Sequence, residues 1–310
     1  MTKELAYFFQ QLINVVQLST FYVPLAVAFA LIQAITRKVF LSFGDVAMFG
    51  SFAAVYVCFA SLLQGYEELT AALFSLVMAI LCTASFGHVA ARFVFAPLIH
   101  KSSQAFMIAA IGFSITLQEL MRLQTGGRDI WIPPLLQGND LVFSSGHFVL
   151  QIPAITALSI GLSIFTVAGL AAVLKFTGFG RNWQACSQEI SLAKLCGINT
   201  ESVMRQTFML GAGLAAVSGW TVAISYGGTS FSSGLMLGFK AMFAAVIGGF
   251  GSVKGAVLGA VSLAMLEVLW SAWFSTSYRD VGVFSFIVLV LLLRPEGLAG
   301  IGAPRESELI

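Results

Sequence analysis

The chain has 310 residues, 58% of them hydrophobic and 10% charged, with a mean hydropathy of +0.91 and a formal net charge of +2. A soluble domain carries roughly a quarter charged residues, so this sequence cannot clothe a water-soluble surface. So small a net charge gives no electrostatic footing for nucleic acid.

Several apolar runs reach the roughly 20 residues that cross a hydrocarbon core of about 30 Å. The segments of alternating polarity that a β-barrel needs are missing. Lipid offers backbone amides no partner, so the spans must be helical. The expected fold is all-α, a polytopic transmembrane bundle forming one domain over 1–310. The first residues show no basic region followed by a cleavage site, so no removable signal peptide is expected.

In chain order, the first span is expected at about 12–35, closed by Arg37 and Lys38. The second, 41–63, opens on Ser42-Phe43-Gly44-Asp45 and is followed by the acidic turn Glu67-Glu68. The third and fourth fall at 69–89 and 103–123. The stretch 124–151 holds Gly126-Gly127-Arg128-Asp129, Pro133-Pro134 and Gly138-Asn139-Asp140, which is turn chemistry. Trp131 in that stretch suits the headgroup level. A fifth span at 152–174 leads into a polar island, 178–200, and a sixth follows at 203–224. The apolar segment 239–250 is only about 18 Å long as a helix, so it is a short or broken crossing or a re-entrant piece. Spans at 256–274 and 281–293 follow, and the bundle is expected to have about eight crossings, one of them short or broken.

Placing the island in the cytoplasm puts eleven of the sixteen Lys and Arg inside, among them Arg37, Lys38, Arg181 and Lys254. That satisfies the positive-inside rule. The N-terminus then lies outside, and the C-terminus inside provided 239–250 crosses.

Catalytic chemistry finds no footing. His88, His100 and His147 sit on different segments, and Cys58, Cys82, Cys186 and Cys196 form no C-x-x-C pair, so no metal site is expected. The run Gly249-Phe250-Gly251-Ser252-Val253-Lys254-Gly255 has glycines and a lysine, but not in phosphate-loop order. The chain is expected to have no ATPase site of its own, no catalytic residues and no cofactor. Ionisable residues within spans are costly and mark candidate sites. Asp45 and Lys240 fall near span ends, where they can reach headgroups or water. Glu119 and Arg122, three apart, suit a local ion pair. Glu267 is the most central, suited to a hydrogen bond with a Ser or Tyr, or to a proton relay.

The 30 glycines include small-xxx-small sets, Gly211 with Ala215 and Gly219, and Gly251 with Gly255 and Gly259. These let helices approach closely. Alternatively, Gly248, Gly249 and Gly251, with Gly255, loosen the backbone for a broken helix lining a pathway. In the island, Gly178 and Gly180 can end the fifth span, and 182–194 allows a short amphipathic helix with Leu192, Leu195 and Cys196 on one side. Gly197 stops it, with Ile198 as the apolar contact behind. A second short helix can start at Asn199 or Thr200. On spacing alone, the island is either an ordinary connector or the surface through which another protein drives this one.

Arg181, Ala185, Glu189, Ala193, Gly197, Ile198 and Asn199, read as R-x-x-x-A-x-x-x-E-x-x-x-A-x-x-x-G-I-N, resemble the coupling loop of ABC-importer permeases. In detail the chain resembles the branched-chain amino acid permease family, with its urea and amide relatives. The most specific matches are 248–259, close to G-G-x-G-[ST]-x-x-G-x-x-x-G, and Arg294-Pro295-Glu296-Gly297-Leu298, close to R-P-x-G-L. The family usually carries Asp where Glu189 stands.

The resemblance implies a coupling loop at about 176–202, with Arg181, Ala185, Glu189, Gly197, Ile198 and Asn199 meeting a cytoplasmic ATPase. It implies three partners besides the lipid bilayer: a second, homologous permease subunit, ATPase subunits, and a periplasmic or extracellular substrate-binding protein. The location implied is the bacterial inner (plasma) membrane. The implied cargo is a branched-chain or other small amino acid, with urea or short amides as the alternative. Ser42, Gly44, Asp45, Ser114, Gln118 and Ser225 are the pathway candidates. A stand-alone secondary transporter is the rival from another class.

Overall fold

The computed structural model describes residues 3–99, 101–133, 135, 141–145, 148–249, 251–294 and 297. His100, Pro134, the turn at 138–140, His147, Phe250, Pro295, Glu296 and Leu298 lie outside the described residues.

Two helices form the centre: α1 (Lys3–Thr36) and α8 (Thr200–Tyr226). The most apolar stretch of each is 83% buried, against 11% for the last span. Around them stand α2 (Phe43–Leu63), α3 (Glu68–Ala90), α4 (Ser103–Thr125) and α5 (Ala154–Phe176). The polar island folds into α6 (Gly178–Gln188) and α7 (Ile190–Leu195). The chain closes with α9 (Ser233–Gly248), α10 (Val253–Trp273) and α11 (Arg279–Leu293).

Eight helical segments are long and apolar enough to cross a membrane, and the 16-residue α9 is a shorter apolar helix. The expected bundle is therefore present. Residues 239–248 fall in α9, which begins earlier, at Ser233, and ends at Gly248. Counted together the described segments come to nine, one more than the eight that included it.

Small residues set the central packing. A Cβ added at Gly219 of α8 would lie 2.0 Å from the Ala47 carbonyl oxygen, and one at Gly50 would lie 2.7 Å from Ala216 Cα. A Cβ at Gly87 would meet the Ala212 methyl at 2.4 Å. Thus α2 and α3 lie against α8 with almost nothing between backbones, which is how helices gain dispersion contacts inside lipid. Gly219→Val is expected to force α2 and α8 apart at a cost of about 1–3 kcal/mol or more. A lowered melting temperature in detergent would register it; an unchanged one would show the crossing to be pliable.

The polar stretch after α4 contains short strands that turn chemistry alone did not suggest. Gly126 and Gly127, at φ 62° and 74°, end α4 in left-handed backbone open to glycine. The chain then pairs β1 (Ile130–Trp131) antiparallel with β4 (Gly228–Thr229), Ile130 opposite Thr229. The strands β2 (Leu141–Ser145) and β3 (Phe148–Ile152) form a hairpin. The β1–β4 pair ties the ends of α4 and α8 together, and Trp131 stands exposed beside it.

At the other end, α3 runs on through a π-helical turn (Ala91–Phe95) and a 3-10 turn (Ala96–Leu98). Lys38 Nζ donates to the carbonyls of Leu98, Ile99 and Lys101 at 3.4, 2.9 and 2.7 Å. A cation there satisfies carbonyls that a helix terminus leaves free. Desolvation holds the Lys38 amine below the usual lysine range.

Candidate functional site

The island begins with a sharp corner. Thr177 ends α5 and caps α6: its Oγ1 donates to the Val173 carbonyl at 2.6 Å and accepts from the Gly180 amide at 3.2 Å. A Cβ at Gly180 would stand 2.0 Å from the Leu174 carbonyl oxygen, so only glycine lets α6 fold back this tightly on α5. Gly178 and Gly180 therefore open α6 rather than merely end the fifth span.

The single amphipathic helix expected at 182–194 is broken in two. Glu189 is extended, at φ −155° and ψ 115°, between α6 and α7. In a continuous helix the Gln188 carbonyl would accept from the amide four residues on. Here Arg37 Nη2 donates to it at 2.5 Å. Arg37 itself sits at φ 49°, a left-handed conformation that non-glycine residues adopt at a cost.

The face α6 buries is also different from the one expected. Trp183 and Cys186 are buried, and Trp183 Nε1 donates to the Leu31 carbonyl of α1 at 3.2 Å. Burial pushes the Cys186 thiol above its ordinary pKa, which makes it inert packing rather than a nucleophile. Leu192 and Leu195 are 61% and 84% exposed, and Cys196 is exposed too. These three residues face outward, and Trp183 anchors the segment instead. Its lone position in a polar stretch is the signal that could have found it.

Past α7, the Gly197 amide donates to the Lys194 carbonyl at 3.0 Å and the Ile198 amide to the Ala193 carbonyl at 3.1 Å, with Gly197 at φ 80°. This paired closure is the Schellman motif, which needs a residue tolerant of positive φ. Asn199 Oδ1 accepts from the Ser202 amide at 3.0 Å, and Glu201 lies in the first turn. The cap belongs to α8 itself, because no break separates a second short helix from the span. Arg181, Glu189, Gly197 and Asn199 are exposed, with Ala185 and Ile198 partly so, all at one end of the bundle.

Five of the six pathway candidates converge where α2, α4 and α9 meet. Asp45, only 1% exposed, accepts from Ser114 Oγ and, at 2.8 Å, from Gln118 Nε2. Ser42 Oγ donates to the Ala110 carbonyl, and a Cβ at Gly44 would lie 2.0 Å from the Gly234 carbonyl oxygen. Ser225 stands apart, near the end of α8, its Oγ buried without a hydrogen-bond partner among the described residues. Asp45 does not reach headgroups or water: Ser114 and Gln118, four apart on one face of α4, hold it inside.

Lys240 is likewise buried, and carboxylates rather than headgroups or water meet its amine. Its Nζ lies 2.8 Å from Glu267 Oε1 and 2.9 Å from Asp280 Oδ1. Arg279 Nε lies 3.1 Å from Glu267 Oε1, and Tyr22 donates to Glu267 Oε2 at 2.7 Å. The Tyr bond expected of Glu267 is present; the cations, which come from other helices, carried no local signal. Arg122 and Glu119 form the exposed local pair expected of them, at 3.2 Å.

The glycines of the run 248–259 make a corner between two helices. A Cβ at Gly248 would lie 2.0 Å from the Gly255 carbonyl oxygen, and one at Gly259 would lie 2.0 Å from that of Ala244. Gly249 and Gly251 turn the chain at φ 114° and 73°. Gly297, at φ 77°, packs on this corner: its Cβ would lie 2.8 Å from the Gly249 amide nitrogen. The two most specific sequence runs, distant along the chain, thus touch.

Membrane-length helices around a tightly packed centre, with two short helices laid against one end, define a multi-pass helical membrane protein. Residues 11–293 match the family described as branched-chain amino acid transport system, permease component, and the chain belongs to that family. It is similar to the high-affinity branched-chain amino acid transport system permease protein LivH of Salmonella typhimurium, 34% identical over 303 residues, covering 97% of this chain and 98% of LivH. BraD of Pseudomonas aeruginosa, a permease protein of the same description, is 30% identical over 298 residues, covering 96% and 97%. The autoinducer 2 import system permease protein LsrC of Salmonella paratyphi B is 32% identical over 200 residues, covering 63% of this chain and 55% of LsrC. The chain is accordingly a membrane permease subunit of a transport system.

Proposed function

We propose that the chain is one of two homologous permease subunits of an ABC importer that carries branched-chain or other small amino acids inward across a bacterial inner membrane. Separate ATPase subunits dock on α6 and α7 from the cytoplasm, and a soluble binding protein delivers cargo at the opposite end. The match along nearly the full length of LivH carries this reading. The exposed Leu192 and Leu195 support the docking assignment, because apolar side chains on a helix outside the spans suit a partner. Arg181 and Glu189, exposed beside them, supply polar contacts to the rim.

In this mechanism ATP closes the ATPase pair and displaces α6 and α7. The corner at Gly180 and the cap at Asn199 pass that displacement to α5 and α8, and the bundle alternates its access. With α9 crossing, nine spans place the N-terminus outside and the C-terminus inside.

The test is uptake into proteoliposomes holding the chain with its companion subunits. Leucine uptake is expected only with binding protein and internal-face ATP, with urea and short amides as comparison cargoes. Leucine accumulated by the chain alone, on an ion gradient without nucleotide, would make it a secondary transporter instead. Uptake of urea or acetamide in preference to leucine would reassign the cargo.

A further inference from the structure

A cleft between α1, α10 and α11 opens at the end of the molecule away from α6. Leu31, which holds Trp183, and Gln11, on the cleft, are separated by about 30 Å of α1. The cavity measures about 360 Å³. Small-molecule sites run from roughly 300 to 1,000 Å³.

Its chemistry is unlike the surrounding apolar surface. Gln11, Asn14 and Gln17 recur at helical spacing along α1 and line one side. Asn14 Nδ2 donates to Gln11 Oε1 at 3.3 Å, and the polar atoms of the row that this bond does not use are costly in a span unless they meet water, a partner or a ligand. Across from it stand Glu267 and Arg279, with Tyr226 at the end of α8. The charges at the base balance: Lys240 and Arg279 against Glu267 and Asp280. Arg279 reaches Glu267 through Nε, and its side chain stays 38% exposed. Leu18, Phe21 and Val268 add an apolar patch to the same cleft.

We propose that this cleft receives a small zwitterion, an α-amino acid, at the outward end of the permease. The terminal guanidinium nitrogens of Arg279 take the carboxylate in the paired geometry that suits arginine. The carboxamide oxygens of Asn14 and Gln17 and the hydroxyl oxygen of Tyr226 take the ammonium, and Leu18, Phe21 and Val268 take an aliphatic side chain. A base of zero net charge suits a ligand that carries both signs and no net charge. The inference rests on the importer reading and names where its cargo is first held.

The experiment uses the full chain in lipid nanodiscs and saturation-transfer NMR with three probes: L-leucine, 4-methylpentanoate, which lacks the ammonium, and isoamylamine, which lacks the carboxylate. Signal is expected for leucine alone. Arg279→Gln and Asn14→Leu, which alter opposite sides of the cleft, should each weaken leucine binding about tenfold or more. No leucine signal in the wild type would overturn the proposal. So would equal signal from all three probes, or unchanged binding in both variants. Leucine uptake by the assembled wild-type transporter is measured in parallel. Uptake without saturation transfer discards the cleft and keeps the importer; no uptake under any condition discards the amino-acid reading itself.

Discussion

Glu267→Ala should be among the most damaging single substitutions in the chain. It strips Lys240 of its 2.8 Å partner and Tyr22 of its acceptor, both in the buried interior. Removing one member of a buried pair costs about 3–5 kcal/mol, because the remaining charge stays desolvated. Asp280, 2.9 Å from Lys240, softens the loss toward the lower figure. Lys240→Met combined with Glu267→Met should recover much of it, since apolar side chains of similar volume often replace such a pair at little cost. Thermal unfolding in detergent, read by fluorescence-detected gel filtration, compares the three proteins. A single variant as stable as the wild type, or a double variant no better than the single, would show that the network does not hold α1, α9, α10 and α11 together.

Gly197→Pro is expected to be nearly silent for insertion and severe for transport. Proline fixes φ near −65° and has no amide hydrogen, whereas Gly197 sits at φ 80° and donates to the Lys194 carbonyl. A local penalty of about 3 kcal/mol, at 1.4 kcal/mol per factor of ten, would leave α7 formed only about one-hundredth as often. The Asn199 cap lies beyond the lesion, so α8 still enters the membrane. Hydrogen exchange should show α7 opened, while stimulation of the companion ATPase by loaded binding protein collapses. Arg181→Glu should give the same loss of stimulation with α7 intact. Wild-type stimulation in both would remove α6 and α7 from the drive train.

Much of this architecture was legible because lipid permits few solutions. Long apolar runs announce helices, and the ends of most spans fall within a few residues of the positions read from hydropathy. Gly197 and Asn199 were legible as terminators because their chemistry is local. The break at Glu189 was not, because the group that takes the freed Gln188 carbonyl, Arg37, comes from another loop. The partners of Lys240 are illegible for the same reason: a lysine close to a span's end looks free to reach headgroups or water until Glu267 and Asp280 arrive from α10 and α11. Asp45 is the converse case. Its partners Ser114 and Gln118 were named as pathway candidates, yet nothing in their spacing said that they meet that carboxylate. The cleft beside Arg279 leaves no local mark in the sequence, because its walls come from four helices.

The rod α1 reaches both ends of the molecule. Near one end its Leu31 carbonyl is gripped by Trp183, and farther along Tyr22 is bonded to Glu267. Pro24 falls between those two grips, and by lacking an amide hydrogen it leaves the rod easiest to bend there. In the proposed importer a push on α6 would pass along α1 towards Glu267 at the base of the distant cleft, with Pro24 the weak rung of the helix between the two grips, which would make the first helix a lever as well as a wall of the bundle.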